Sequence, residues 1–187
     1  RGRRMTRVAM LVAQGFQDEE FVYPYYRMLE EGWEVDVLTP SGLRVMGKYG
    51  VPAKATRAVE SPYEADYRAI VIPGGFESPD RLRMIHDVRA KVREHFDAGM
   101  LIAAICHGPW VCISAGIVKG KRVTGYTSIK DDLVNAGGIY QDDPVVVDGN
   151  LITAQHYRDN GAFMRAVVRA VQSQMIGPWL ENHAVNF

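Results

Sequence analysis

The sequence predicts an α/β fold with a mostly parallel central sheet and helices on both faces. Two observations carry this. Short apolar runs rich in strand formers recur along the chain: Arg7 to Ala13, Ala69 to Ile72 and Met100 to Ile105. Each ends in a turn, and segments with helical spacing of apolar residues lie between them. Strands buried on both faces and alternating with helices are the mark of a parallel sheet covered on each side.

Taken in order, Arg7–Ala13 reads as a strand that stops at Gln14-Gly15. From Glu19 to Glu31, Phe21, Val22, Tyr25 and Leu29 fall on one helical face, Pro24 sits in the first turn where it is tolerated, and Gly32 closes the helix. Trp33–Leu38 alternates as a second strand, and Leu43–Ala55, with Gly47 and Gly50, reads as a hairpin. Pro73-Gly74-Gly75 closes the strand Ala69–Ile72. Val88–Phe96 is helical, Met100–Ile105 is a strand, and Gly108–Ala115 and Ile129–Ala136 are helices. Val145–Val147 and Leu151–Thr153 flank Asp148-Gly149-Asn150 as a hairpin. Phe163–Met175 is the last helix, and Pro178 onward is an unassigned tail. Residues 5–176 read as one domain, 1–4 as a remnant of added sequence or a loose arm, and 177–187 as a tail.

Composition bounds the function. At 187 residues, with 47% hydrophobic and 24% charged, the chain suits a globular domain without disulfide staples. Twenty-two basic residues balance 22 acidic ones, which argues against a general nucleic-acid binder. No apolar run approaches the roughly 18 residues that span a bilayer. Two cysteines, Cys106 and Cys112, fit a reducing cytoplasm better than a secreted scaffold. His86, His95 and His183 show no metal-ligand spacing and read as surface or helix residues. Neither a metal nor a cofactor is expected.

In a parallel sheet, ligands bind beyond the C-terminal strand ends, so chemistry is sought after each strand. Cys106 follows an apolar strand and precedes a helix, in Ala104-Ile105-Cys106-His107-Gly108-Pro109. That is the layout of a nucleophile elbow, with a helix N-terminus that favours the thiolate and lowers its pKa. Cys112, inside the following helix, reads as packing. Glu20 ends the polar run Gln17-Asp18-Glu19-Glu20, which is either a solvated acidic cap on the next helix or the source of one carboxyl that faces the thiol. In the second case burial would raise its pKa and keep it protonated as a donor. Gly74 and Gly75 are either an ordinary turn or a source of backbone N–H groups for an oxyanion.

Together these stretches resemble the DJ-1/PfpI superfamily, and within it the PfpI-type intracellular cysteine peptidase branch. The carrying segments are Glu20-Phe21-Val22-Tyr23-Pro24, Val71-Ile72-Pro73-Gly74-Gly75, Ala104 to Pro109, Ser114-Ala115-Gly116, Ile129-Lys130-Asp131-Asp132 and Asn135-Ala136-Gly137. The resemblance runs from about Met5 to Val171. It implies a flavodoxin-like three-layer sandwich and a homo-oligomer. It implies Cys106 as nucleophile, Glu20 as the glutamate bonded to the thiol, and Gly75 with the His107 backbone as oxyanion donors. The His107 side chain would be the base, oriented by an acid from a neighbouring subunit at the position of Asp80. Where the family often has Ser-Arg, this chain has Ala154-Gln155, followed by His156. Gln155 and His156 are therefore expected at the pocket mouth, and substrates bearing a carboxylate are expected to be handled worse.

The implied function is a cysteine-dependent hydrolase or lyase acting on a carbonyl or amide-like substrate, small molecule or peptide. Intracellular peptidase or amidase stands first, glyoxalase or deglycase on methylglyoxal-type compounds next, and a specialised hydratase third. A non-catalytic redox sensor or chaperone, acting through oxidation of Cys106, is the alternative of another class.

Overall fold

In the computed structural model, residues 4–62 and 66–182 are described, those from 175 onward by backbone alone. The remainder of the expected N-terminal arm, residues 183–187 of the tail, and His183 lie outside the described residues.

The first half runs β1 (Arg7–Leu11), α1 (Asp18–Glu30), β2 (Glu34–Thr39), the small hairpin β3 (Val45–Met46) and β4 (Pro52–Ala53), β5 (Arg57–Ala58) and β6 (Tyr67–Ile72). It continues with α2 (Glu77–Arg83), α3 (His86–Asp97), β7 (Leu101–Ile105) and α4 (Pro109–Ser114). Then come β8 (Arg122–Val123), a 3-10 turn at Thr127–Ile129, α5 (Lys130–Asn135), β9 (Ile139–Tyr140), β10 (Val145–Asp148), β11 (Leu151–Ala154) and α6 (Asn160–Asn182). The main sheet has seven strands in the order β10-β11-β7-β6-β1-β2-β5. Its neighbours are parallel throughout except the hairpin β10–β11. This is the mostly parallel, flavodoxin-like sandwich that the sequence predicts.

Each central strand is buried on both faces, which is why it reads as a continuous apolar run. Val8, Met10 and Val12 face a core shared with Phe21 and Met28 of α1 and Phe163, Met164 and Val167 of α6. Ala9, Leu11 and Ala13 face the opposite core, with Leu82 of α2, Val88 and Val92 of α3, Val111 of α4 and Leu133 of α5. The period of two thus sends alternate side chains into separate layers. His95 is a helix residue, on α3, but turns into this interior and not to the surface. It is fully buried, its Nε2 is 3.0 Å from the Leu101 carbonyl, and burial lowers its pKa to about 4.

Order reverses between β1 and β6: the chain lays β2 and β5 on one side of β1, and β6, β7 and β11 on the other. The loops that leave β1, β6, β7 and β11 therefore converge on one rim of the sheet, at its switch point. The chain also remains helical through Gly177 and Pro178, where the sequence suggested a tail.

Candidate active site

Four loops assemble the site. The first is the start of α1, where Asp18 and Glu20 are both buried. Asp18 ties the β3–β4 hairpin to this corner by accepting from the backbone N–H groups of Tyr49, at 2.8 Å, and Val51, at 2.9 Å. Glu20 has no exposed surface. Its Oε1 accepts the Gly74 N–H at 2.8 Å, while Oε2 is buried with no nitrogen or oxygen partner, and the Cys106 sulfur lies against the same carboxyl. Burial pushes the Glu20 pKa up to about 8, against the smaller opposing pull of the Gly74 N–H. A protonated Glu20 has one O–H to donate, and the sulfur lying against its carboxyl is an acceptor within reach. The buried-donor alternative for Glu20 thus fits better than a helix cap.

The second loop, Pro73-Gly74-Gly75, needs both glycines. A Cβ on Gly74 would sit 2.6 Å from Glu20 Oε1 and 2.8 Å from the Cys106 Cβ. Gly75 has φ +72°, and a Cβ there would lie 2.6 Å from the Gln17 nitrogen. The missing side chains let the Gly75 N–H reach the sulfur.

The third loop is the elbow. Cys106 has φ +62°, the left-handed region that an L-residue enters at a cost of about 1–3 kcal/mol. Flanking groups hold it there: Cys106 N–H donates to the Ala154 carbonyl at 2.9 Å, and the Cys106 carbonyl accepts the Tyr126 N–H at 2.8 Å. Gly108 follows, and a Cβ on it would come within 2.5 Å of the Ile72 carbonyl oxygen. The geometry is that of the predicted nucleophile elbow. The expected lowering of the thiol pKa is not found. Burial, and then any charge on Glu20, push the Cys106 thiol above its ordinary range, against the N–H groups of His107 and Gly75. The physical reason is that α4 offers only six residues of helix, beginning at Pro109, to a sulfur that is 7% exposed. The thiol therefore needs a proton acceptor at the moment of attack.

His107 supplies one. The bend turns its ring back so that Nδ1 lies 3.4 Å from Cys106 Sγ, which adjacent side chains do not reach in a regular strand or helix. Its Nε2 is 3.3 Å from Ser128 Oγ. The ring stacks on Tyr126, centroids 5.0 Å apart, and meets the Trp110 ring edge-on at 5.0 Å. Burial, followed by the positive charge of Lys48, lowers the His107 pKa, and Asp132 opposes them.

The fourth loop follows β11. Gln155 is buried and its amide is turned away to Asp142 Oδ1, at 2.8 Å, and the Tyr140 hydroxyl, at 3.4 Å. His156 stacks on Tyr126 at 6.1 Å and meets the tilted ring of Tyr157 at 4.0 Å, so it joins the aromatic wall that continues from His107. Its Nδ1 accepts the Arg158 N–H at 3.2 Å. Of the residues singled out from sequence, Cys106, His107, Glu20, Gly74 and Gly75 are brought together, and His156 reaches them through Tyr126. Gln155 closes the loop from behind. Asp80 is exposed on α2, and in this chain Ser128 and not Asp80 meets the His107 Nε2. Sequence reasoning missed Tyr126, Ser128 and Trp110, whose only signal was their position in Gly125-Tyr126-Thr127-Ser128 and after Pro109.

The fold and this rim define an α/β protein with a cysteine held on a strained strand-to-helix elbow beside a buried acid. The chain belongs to the DJ-1/PfpI family, whose family profile matches residues 6–170. It is 37% identical over 166 residues to the deglycase PfpI of Pyrococcus furiosus, covering 89% of this chain and 99% of that one. It is 38% identical over 160 residues to YraA of Bacillus subtilis, provisionally named a cysteine protease, covering 85% of this chain and 94% of that one. Among solved structures, a two-domain protein from Anabaena variabilis with DJ-1/ThiJ/PfpI-like and ferritin-like domains superposes with TM-score 0.87 at 36% identity. The match takes in 89% of this chain and 48% of that one, so this chain spans about half of it. Drosophila melanogaster DJ-1beta superposes with TM-score 0.84 at 26% identity, covering 98% of this chain and all of the other.

Proposed function

We propose that the chain is a cysteine-dependent hydrolase or lyase acting on a small electrophilic carbonyl, of the methylglyoxal or glycated-amine class, through Cys106. The observation that carries this reading is the buried Cys106 sulfur between three groups: the orphaned oxygen of Glu20, the Gly75 and His107 N–H groups, and His107 Nδ1 at 3.4 Å. In the proposed step the thiol proton passes to Nδ1 and the sulfur forms a bond to the carbonyl carbon. The C=O electron pair moves onto oxygen, where the two N–H groups receive the charge. The His107 imidazolium then returns that proton to the oxygen, giving a neutral thiohemiacetal, while the Glu20 acid keeps its own proton against the sulfur. The relatives named as deglycases support the carbonyl class. Peptide or amide cleavage is the second reading, supported by the naming of YraA. It asks for a His107 held by an acid, and in one chain that acid is not assembled. Free cysteines and the absence of a helix long and apolar enough to cross a membrane among the described residues fit a reducing cytoplasm. The test is turnover of a panel of α-oxoaldehydes, glycated amines and peptide amides by the wild-type chain and by Cys106→Ser. Carbonyl turnover lost in Cys106→Ser is the expected result. Preferential turnover of peptide amides would replace this reading with the second. No turnover, with fast oxidation of Cys106, would favour a redox sensor.

A further inference from the structure

We propose that Ser128 is the positioning residue for His107, fixing within one chain the ring nitrogen that takes the Cys106 proton. This deepens the reading of the site as a cysteine enzyme and rests on it.

Among the described residues, each imidazole nitrogen has one polar side-chain partner, Cys106 Sγ at Nδ1 and Ser128 Oγ at Nε2. A neutral imidazole carries one N–H, and which nitrogen holds it is decided by what the other atoms offer. A thiol can pass its proton only to a nitrogen with a free lone pair, so Nδ1 must be bare and Nε2 must carry the hydrogen. A serine hydroxyl satisfies that arrangement by accepting from Nε2–H, and its own hydrogen remains free to turn to solvent, since Ser128 is exposed.

The surroundings keep both partners in register. Tyr126 N–H is bonded to the Cys106 carbonyl, so the turn that carries Ser128 is fastened to the elbow itself. Ile129 N–H closes the turn on the Tyr126 carbonyl at 3.0 Å, and the Ile129 side chain is buried beneath it. The His107 ring is clamped between Tyr126 and Trp110, and Trp110 is itself fixed by donating Nε1–H to Asp132 at 2.9 Å. A ring stacked on Tyr126 and met edge-on by Trp110 is held in this orientation. With the thiol facing Nδ1, a hydroxyl accepting from Nε2–H supports that tautomer without adding a charge, so the imidazole stays neutral at rest, in keeping with the direction in which burial moves it.

The experiment reads the tautomer and the chemistry separately. Nitrogen-detected NMR of the resting full chain reports the His107 tautomer. Iodoacetamide labelling reports the Cys106 thiolate, and kcat/KM against pH reports catalysis. Wild-type protein should show the Nε2–H form. Ser128→Ala should mix the two tautomers, slow Cys106 labelling and lower kcat/KM roughly three- to tenfold, the loss expected for one neutral hydrogen bond, with KM little changed. Ser128→Thr, which keeps the hydroxyl, should restore all three. An unchanged tautomer and labelling rate in Ser128→Ala overturns the proposal. So does an Asp80→Ala variant that disturbs the tautomer more than Ser128→Ala does, because the orienting group would then be the acid of a second copy. If wild-type protein turns over nothing in the panel yet shows the Ser128-dependent tautomer, the enzyme reading fails and the positioning role stands.

Discussion

Glu20 makes folding stability depend on pH with a sign opposite to that of most carboxylates. Its pKa rises from 4.5 to about 8 because the folded chain buries it, so between those values the native state holds a proton that the unfolded state has lost. Where the native state binds more protons, stability falls as pH rises, by about 1.4 kcal/mol per unit for one group. The contribution is whole below the unfolded pKa and is gone once pH passes the folded one. Thiol titration would blur the slope, so the comparison is made in Cys106→Ser, with and without Glu20→Gln. From pH 5.5 to 7.5 the single variant should lose about 2–3 kcal/mol more stability than the double variant, whose amide cannot ionise. Guanidinium unfolding at several pH values and one fixed protein concentration measures this, since assembly would otherwise shift the midpoint. Parallel curves for the two proteins would refute the raised Glu20 pKa, and with it the protonated donor beside the sulfur.

Three further outcomes follow from the same geometry. Brief iodoacetamide treatment should label Cys106, which stands at the sheet rim with His107 Nδ1 3.4 Å away to take its proton, and spare Cys112, which is fully buried inside α4, and equal labelling would sink the elbow assignment. Gly74→Ala should abolish activity and cost about 1–3 kcal/mol in stability, because its methyl falls between the Glu20 oxygen and the Cys106 Cβ, and calorimetry with the carbonyl panel checks both. Light scattering should give a multiple of the 20.9 kDa chain, as the family resemblance implies, and a monomer would remove any role for Asp80 across an interface.

Much of the fold is written in period and punctuation. The apolar runs that become β1, β6 and β7 are buried on both sides, so nothing polar interrupts them, and turn residues mark where they stop. The two-residue strands β5, β8 and β9 were not legible, since pairing that short is decided by partners far along the chain. Helix α2 was hidden too: Glu77-Ser78-Pro79-Asp80-Arg81 reads as a polar loop, and only Leu82 meets the core fully as an apolar anchor. At the site, the residues on tight turns could be read because a turn demands particular residue types. Ser128 and Tyr126 could not, because their roles arise from a ring on another loop. Gln155 could be placed after β11 from the sequence, but its partner could not, since its amide is bonded to Asp142 on a separate loop.

The left-handed backbone at Cys106 also bears on how the chain can change over time. Its conformation is imposed from outside, by Ala154 and Tyr126, so it does not depend on the sulfur it presents. A glycine there would relax the turn and leave the scaffold more secure but inert. Selection for robustness alone would erase the cysteine. Drift at this position therefore has a built-in downhill direction, away from chemistry.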